Sequence, residues 1–217
     1  MRHKRAAASG DTVGFLSLGR LADELLAINV ETRRINRIET GELEAVMRLG
    51  AFTPINMTGL NRHHLVDQGR PELLGGGVLE RGSASFSRHK LRAMLDENCV
   101  AENAPLLGTS GPSIAYAQLD GNRPSVALVK LSKRLAFERS QRTNKLSATF
   151  PFYNHVVSFP LLDARAVATF PSEENRVDRM RVLESHLGYR PGYLLLALAK
   201  VHNGYCKKVV VSVLPEL

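Results

Sequence analysis

The chain has 217 residues, enough for one large domain or a small domain with a medium one, and its hydrophobic (44%) and charged (23%) fractions are those of an ordinary globular protein. No apolar run reaches the length of a membrane helix, and no apolar core follows the basic start "MRHKRAAASGD", so a cytoplasmic protein without a secretory signal is the expectation. Cys99 and Cys206 stand far apart, which argues against a zinc site or a disulfide framework, while a net charge of +8 favours anionic partners.

In chain order, residues 1–12 read as a basic arm. Leu18, Leu21, Leu25 and Leu26 recur at helical spacing after Ser17, a suitable N-cap. Asn29 is placed to end that helix and cap a second over residues 30–39, which carries Arg33, Arg34 and Arg37 and stops at Gly41. "ELEAVMRLGAFT" alternates loosely, as a small wing does. Residues 55–77 are rich in Gly, Pro and Asn and read as a linker. "SFSRHKLRAMLDE", residues 85–97, is one amphipathic helix.

Beyond it the pattern turns to strands. "SIAYAQL" and "SVALVKLS" flank the turn-rich "DGNRP", and "HVVSFPLL" and "ARAVATF" are further β-rich runs. "SEENRVDRMRVLESHLGY" reads as a helix capped by Ser172 and stopped by Gly188. "YLLLALAKV" and "YCKKVVVSVL" flank His-Asn-Gly, a strong hairpin signal because Asn and Gly tolerate positive φ. The expected fold is α+β. Residues 1–54 form a winged helix-turn-helix, 55–77 a linker, and 78–217 an antiparallel sheet of two similar halves with helices on one face.

This order of parts resembles the GntR family of transcription regulators. Leu16, Ser17, Arg20, Leu21, Ala22, Thr32 and Arg34 match its helix-turn-helix signature, and "MRLGAF" is similar to its wing. "NRHHLVDQGRPELL" resembles the linker of the HutC subfamily, in particular its phosphonate-utilisation regulators. "KLRAML…YAQLDGNRPSVALVK" and "LESHLGYRPGYLLLALAKVHNGYCKKVVVSVL" resemble the two halves of the UTRA effector domain, which has a chorismate-lyase-like fold. "NRIETGE" is also similar to a run in phage-repressor helix-turn-helix proteins. The GntR resemblance implies a homodimeric regulator that binds operator DNA, responds to a small anionic, phosphonate- or phosphate-like metabolite, and needs no cofactor or metal. Ligand-binding without DNA binding, and a small enzyme of chorismate-lyase type, are the alternatives.

Candidate roles follow from side-chain chemistry. Arg33, Arg34 and Arg37 suit base edges or phosphates, and Arg20 is a further DNA-binding candidate. Ser17, Asn29 and Thr32 lie near expected helix N-termini, where backbone N–H groups reach phosphates. For the effector, the resemblance points to a cleft between the half-sheets. Asn61, Arg62, Lys130, Arg165, Lys200 and Ser212 are the candidates, Arg165 foremost. Lys133, Arg134, Arg139, Arg142 and Lys145 add a basic group around Lys130. No catalytic residue is expected: there is no Gly-x-Ser-x-Gly elbow, "GGG" at 75–77 lacks a following Lys-Ser/Thr, and His63 and His64 are adjacent rather than four apart.

Overall fold

The run "PGYLLLAL" is apolar almost throughout, and all eight residues, Pro191–Leu198, are buried in one strand. Side chains alternate across a strand, so a continuous apolar run means a sheet covered on both faces. Tyr193, Leu195 and Ala197 enter one core, while Leu194, Leu196 and Leu198 enter another. This strand lies at the centre of a three-layer α+β arrangement whose sheets are mostly antiparallel. The computed structural model describes residues 12–39, 52–56, 73–74, 78–79, 86–132, 134–171 and 174–217.

The strands are β1 (Thr12–Leu21), β2 (Glu24–Asn29), β3 (Ile35–Glu39), β4 (Phe52–Asn56), β5 (Leu73–Leu74), β6 (Val78–Leu79), β7 (Ser113–Ala115), β8 (Val126–Lys130), β9 (Ala136–Arg139), β10 (Leu146–Phe152), β11 (His155–Pro160), β12 (Arg176–Val177), β13 (Pro191–Leu198) and β14 (Tyr205–Pro215). The helices are α1 (Arg88–Glu97), α2 (Ala164–Thr169) and α3 (Met180–Leu187). One outer layer is the sheet β5-β3-β2-β1-β4-β6, the central layer β7-β14-β13-β8, and the other outer layer β11-β10-β9-β12.

The first outer sheet and α1 cover one face of the central sheet: Leu16, Leu18, Leu26, Ile28 and Met94 pack with Leu195, Val209 and Val211. On the other face Phe137, Phe150, Phe159, Leu183 and Leu187 pack with Leu194, Leu196 and Val210. The layers approach closely. A Cβ at Gly19 would stand 3.1 Å from Ser212 Cβ and 3.2 Å from Leu195 Cδ2, tighter than most real Cβ contacts, so a side chain here would require these neighbours to shift by a few tenths of an ångström. The parts expected to be separate, before residue 54 and after 78, therefore share a core.

Several expectations hold. Helix α1 forms, with Ser87 Oγ accepting from Lys90 N at 3.2 Å. Gly188, at φ 75°, ends α3. Strands β13 and β14 form the hairpin read from His-Asn-Gly, with Asn203 at φ 50° and Gly204 at φ 78° in its tight turn.

The helix-turn-helix does not form. Residues 12–39 are three antiparallel strands, with Leu21 paired to Glu24 across a turn at Ala22 and Ile28 paired to Ile35 across the next. The reason is burial on two sides. Leu26 and Ile28 face the central sheet while Leu25 and Ala27 pack with Phe15 and Ile38, a period of two that a short apolar run disguises as helix. Ser17, expected as a helix cap, is a buried strand residue.

Other departures are local. "ARAVATF" is helix α2, because Asp163 Oδ1 accepts from Ala166 N at 2.9 Å and caps it. The helix expected from Ser172 begins only at Met180, since Arg176 and Val177 extend the β9 sheet edge. β7 and β8 do not pair: β7 joins β14, and β8 joins β13. Most of the expected wing and linker, with Asn61, Arg62, His63, His64 and Gly75–Gly77, lies outside the described residues, as do Lys133 and Ser172.

Candidate ligand cleft

Strands β11 and β14 touch through a parallel bridge between Leu161 and Val210, where Leu162 N donates to Val210 O at 2.8 Å. The loop 105–112 is tied to β14, with Pro112 O accepting from Lys208 N at 2.9 Å. A cleft of about 540 Å³ remains between this loop and the β10–β11 hairpin. That size suits a small organic molecule. Leu106, Phe152, Val157 and Phe159 give it apolar walls, and Thr109, Ser110, His155 and Ser158 give it polar groups.

Lys208 does not line this cleft but lies behind its wall, against Thr109 and Phe159. On β14 it shares a face with Cys206 and Val210, both in the core towards β11, so its side chain is directed inward and fully buried. Phe159 and Lys208 each lie two residues before the Leu161–Val210 bridge, and Nζ stands 5.8 Å from the Phe159 ring centroid. Nζ donates to the carbonyl oxygen of Thr109. No carboxylate among the described residues pairs with it. Burial pushes its ammonium down to about 8, because the charged form has lost water without gaining an anion. Thr109 Oγ1, also buried, has no hydrogen-bond partner.

Both lips of the cleft hold strained backbone. Tyr153 and Asn154 turn the β10–β11 hairpin at φ 49° and 60°, and Leu107 sits at φ 52° beside Gly108 at 82°. A left-handed conformation is ordinary for Asn or Gly. For Tyr and Leu it is costly, and such residues gather where a binding surface is held in place.

The residues singled out from sequence lie elsewhere. Asn29, Thr32, Arg33 and Arg34 meet at the β2–β3 turn, where Asn29 Oδ1 accepts from Glu31 N at 2.9 Å and Thr32 N at 3.0 Å. Arg33 Nη1 is 2.6 Å from Glu97 Oε1 at the end of α1. Arg20 is exposed at the other turn, with Nε donating to Ala22 O at 2.8 Å. Arg37 is fully buried between layers. Its Nε and Nη2 reach Glu24 Oε2 at 2.8 and 2.5 Å, and Nη1 reaches Ser125 Oγ at 3.2 Å and Leu198 O at 3.0 Å.

The expected effector residues are not gathered in one place. Lys130 Nζ pairs with Asp96 Oδ1 at 2.8 Å. Tyr193 also donates to that oxygen, and Asp96 is held below the usual carboxylate range chiefly by the Lys130 hydrogen bond. Lys200 Nζ pairs with Asp23 at 2.7 Å. Arg165 lies over Tyr189, 5.5 Å from its ring centroid, and Ser212 is buried with Oγ donating to Asp163 Oδ2 at 3.3 Å. Arg139 packs over Phe170 at 5.2 Å. None of them lines the cleft.

Sequence reasoning missed Lys208, Thr109 and His155. A signal for the first was present. Adjacent lysines on a strand point to opposite faces, so where one face of the strand is covered one of Lys207 and Lys208 has to be buried. Comparison with protein-family models, with curated proteins and with solved structures found no match.

Proposed function

We propose that this chain is a ligand-binding protein that takes a small organic anion in the cleft between the loop 105–112 and the β10–β11 hairpin. The observation that carries this is Lys208, a buried lysine with no carboxylate partner among the described residues, whose Nζ touches Thr109 and Phe159 in the wall of a cleft of about 540 Å³. An unpaired buried cation is costly, and an incoming anion offsets that cost at the place where the walls accept an apolar body. A sheet-rich α+β domain with a cleft also fits the UTRA resemblance and its expected anionic metabolite. Among the expectations drawn from that resemblance, ligand-binding without a helix-turn-helix is the one the fold supports best.

The test is calorimetric titration of the whole protein with benzoate and with phenylphosphonate, which pair an apolar ring with a carboxylate or a phosphonate. Saturable binding of either at one site per chain, lost in Lys208→Met, supports the reading. Binding unchanged in Lys208→Met, or no saturable heat from either probe, overturns it. Operator binding, the other expectation, has the exposed Asn29–Arg34 turn as its carrier. A salt series of fluorescence anisotropy with upstream DNA tests it beside an Arg33→Ala/Arg34→Ala variant.

A further inference from the structure

Side chains alternate between the two faces of a strand, so a cleft lying over one face would touch every second residue. The cleft beside the loop 105–112 is instead lined by His155, Val156, Val157, Ser158 and Phe159 in succession, and so runs along the edge of β11. That strand is outermost in its sheet, with β10 as its one ladder neighbour. Its backbone groups also alternate. Leu161 N donates to Leu146 O on β10 at 2.9 Å, whereas Leu162 N donates away from β10, to Val210 O at 2.8 Å. Counted back through the unbroken register, odd-numbered residues of β11 bond to β10, while Val156 and Ser158 turn their N–H and C=O groups outward. Neither has a backbone partner among the described residues.

Natural sheets protect such edges by keeping them short, by charge or proline, or by covering them. The other outer strands fit that rule: β5, β6 and β12 have two residues each, β7 has three, and Val100 N donates to Leu128 O on β8 at 2.8 Å. β11 has six residues, its proline comes only at Pro160, and Val156 is apolar and 74% exposed. We propose that the organic anion assigned to this cleft is a short free peptide ending in a carboxylate, which adds to β11 as an extra strand; this rests on the binding reading above. In an extended tripeptide the first and third residues present their N–H and C=O groups to one side, which is the spacing of Val156 and Ser158. Leu106, Phe152 and Phe159 give its side chains apolar walls, and a cleft of about 540 Å³ suits a peptide of that size. The lining includes no acidic residue, and its wall at Thr109 holds the Lys208 ammonium, which suits a terminal carboxylate.

The experiment titrates isotope-labelled whole protein with acetyl-Leu-Ala-Leu and follows affinity and amide hydrogen exchange by NMR. In the free protein the Val156 and Ser158 amides should exchange faster than those of Val157 and Phe159. The peptide should slow the first pair at least about tenfold and change the second pair little. Methylating the nitrogen of the third peptide residue should weaken binding about tenfold, and methylating that of the second should be tolerated. Ser158→Pro removes an outward N–H, as Pro160 does, and should weaken binding, while Ser158→Ala should not. Equal affinity for the two methylated peptides, or binding without slowed exchange at Val156 and Ser158, overturns strand addition even where Ser158→Pro fails to fold. Slow exchange there in the free protein that quickens on dilution assigns the edge to a second copy and overturns it too. Binding of benzoate or phenylphosphonate without the peptide overturns the peptide and leaves the anion site standing. Absence of all binding overturns the two together.

Discussion

Two cations are buried among the described residues, and they are held in opposite ways. Arg37, between the first outer sheet and the central sheet, meets Glu24, Ser125 and the Leu198 carbonyl, so its charge and most of its donors are matched. Lys208, on the other side of the central sheet, has one backbone carbonyl and a ring face. A matched buried charge fixes how layers sit together; an unmatched one costs stability and is expected where a ligand completes the arrangement. The comparison separates a residue that holds the fold from one available for function.

The largest effect should come from breaking the matched pair. Arg37→Ala or Glu24→Ala leaves the other charge buried and alone, and should lower unfolding free energy by about 3–5 kcal/mol in urea titrations. The double variant Glu24→Leu/Arg37→Met should recover most of that loss. If the single variants cost no more than an exposed pair, the contrast between the two cations collapses.

Lys208→Met should do the reverse, abolishing anion binding while leaving thermal stability equal or higher. Its pH signature sharpens the point. The folded value, about 8, lies below that of an unfolded lysine, about 10.4. Between the two the unfolded chain holds more protons, so stability rises with pH across that window and is flat below it. Wild-type melts from about pH 7 to 10 should show that rise from this group, and Lys208→Met should lose it.

Smaller effects test the rims. Tyr153→Gly relieves a left-handed tyrosine, and after the entropy lost to glycine it should change stability by about 1 kcal/mol or less, in the stabilising direction, in a thermal melt. Arg33→Ala removes an exposed pair with Glu97 and should cost under about 1 kcal/mol, and less in high salt. A larger loss would mean the β2–β3 turn holds α1 in place.

The regions that were legible and those that were not differ in how local their signals are. Helix α1, the stop at Gly188 and the β13–β14 hairpin rest on caps, positive φ and alternation, all contained in a few neighbouring residues. Residues 17–39 had no such local answer. "LADELLAIN" fits a helical stripe and a doubly covered strand equally well until the partner layers are known. Charge misled in the same way. Lys130, Lys200 and Arg33 are conspicuous in sequence, yet each is partnered by an acid distant in the chain: Asp96, Asp23 and Glu97.

The cleft was the least legible part. It needs the loop 105–112 and the β10–β11 hairpin, some forty residues apart in the chain, to face each other. The sequence by itself determined the α+β class and the closing hairpin, because these follow from the periodicity of a single segment and the turn residues beside it. Only the tertiary structure decided that Arg37 would be matched and Lys208 left with one carbonyl, because the environment of a buried charge is set by which distant strands pack against it.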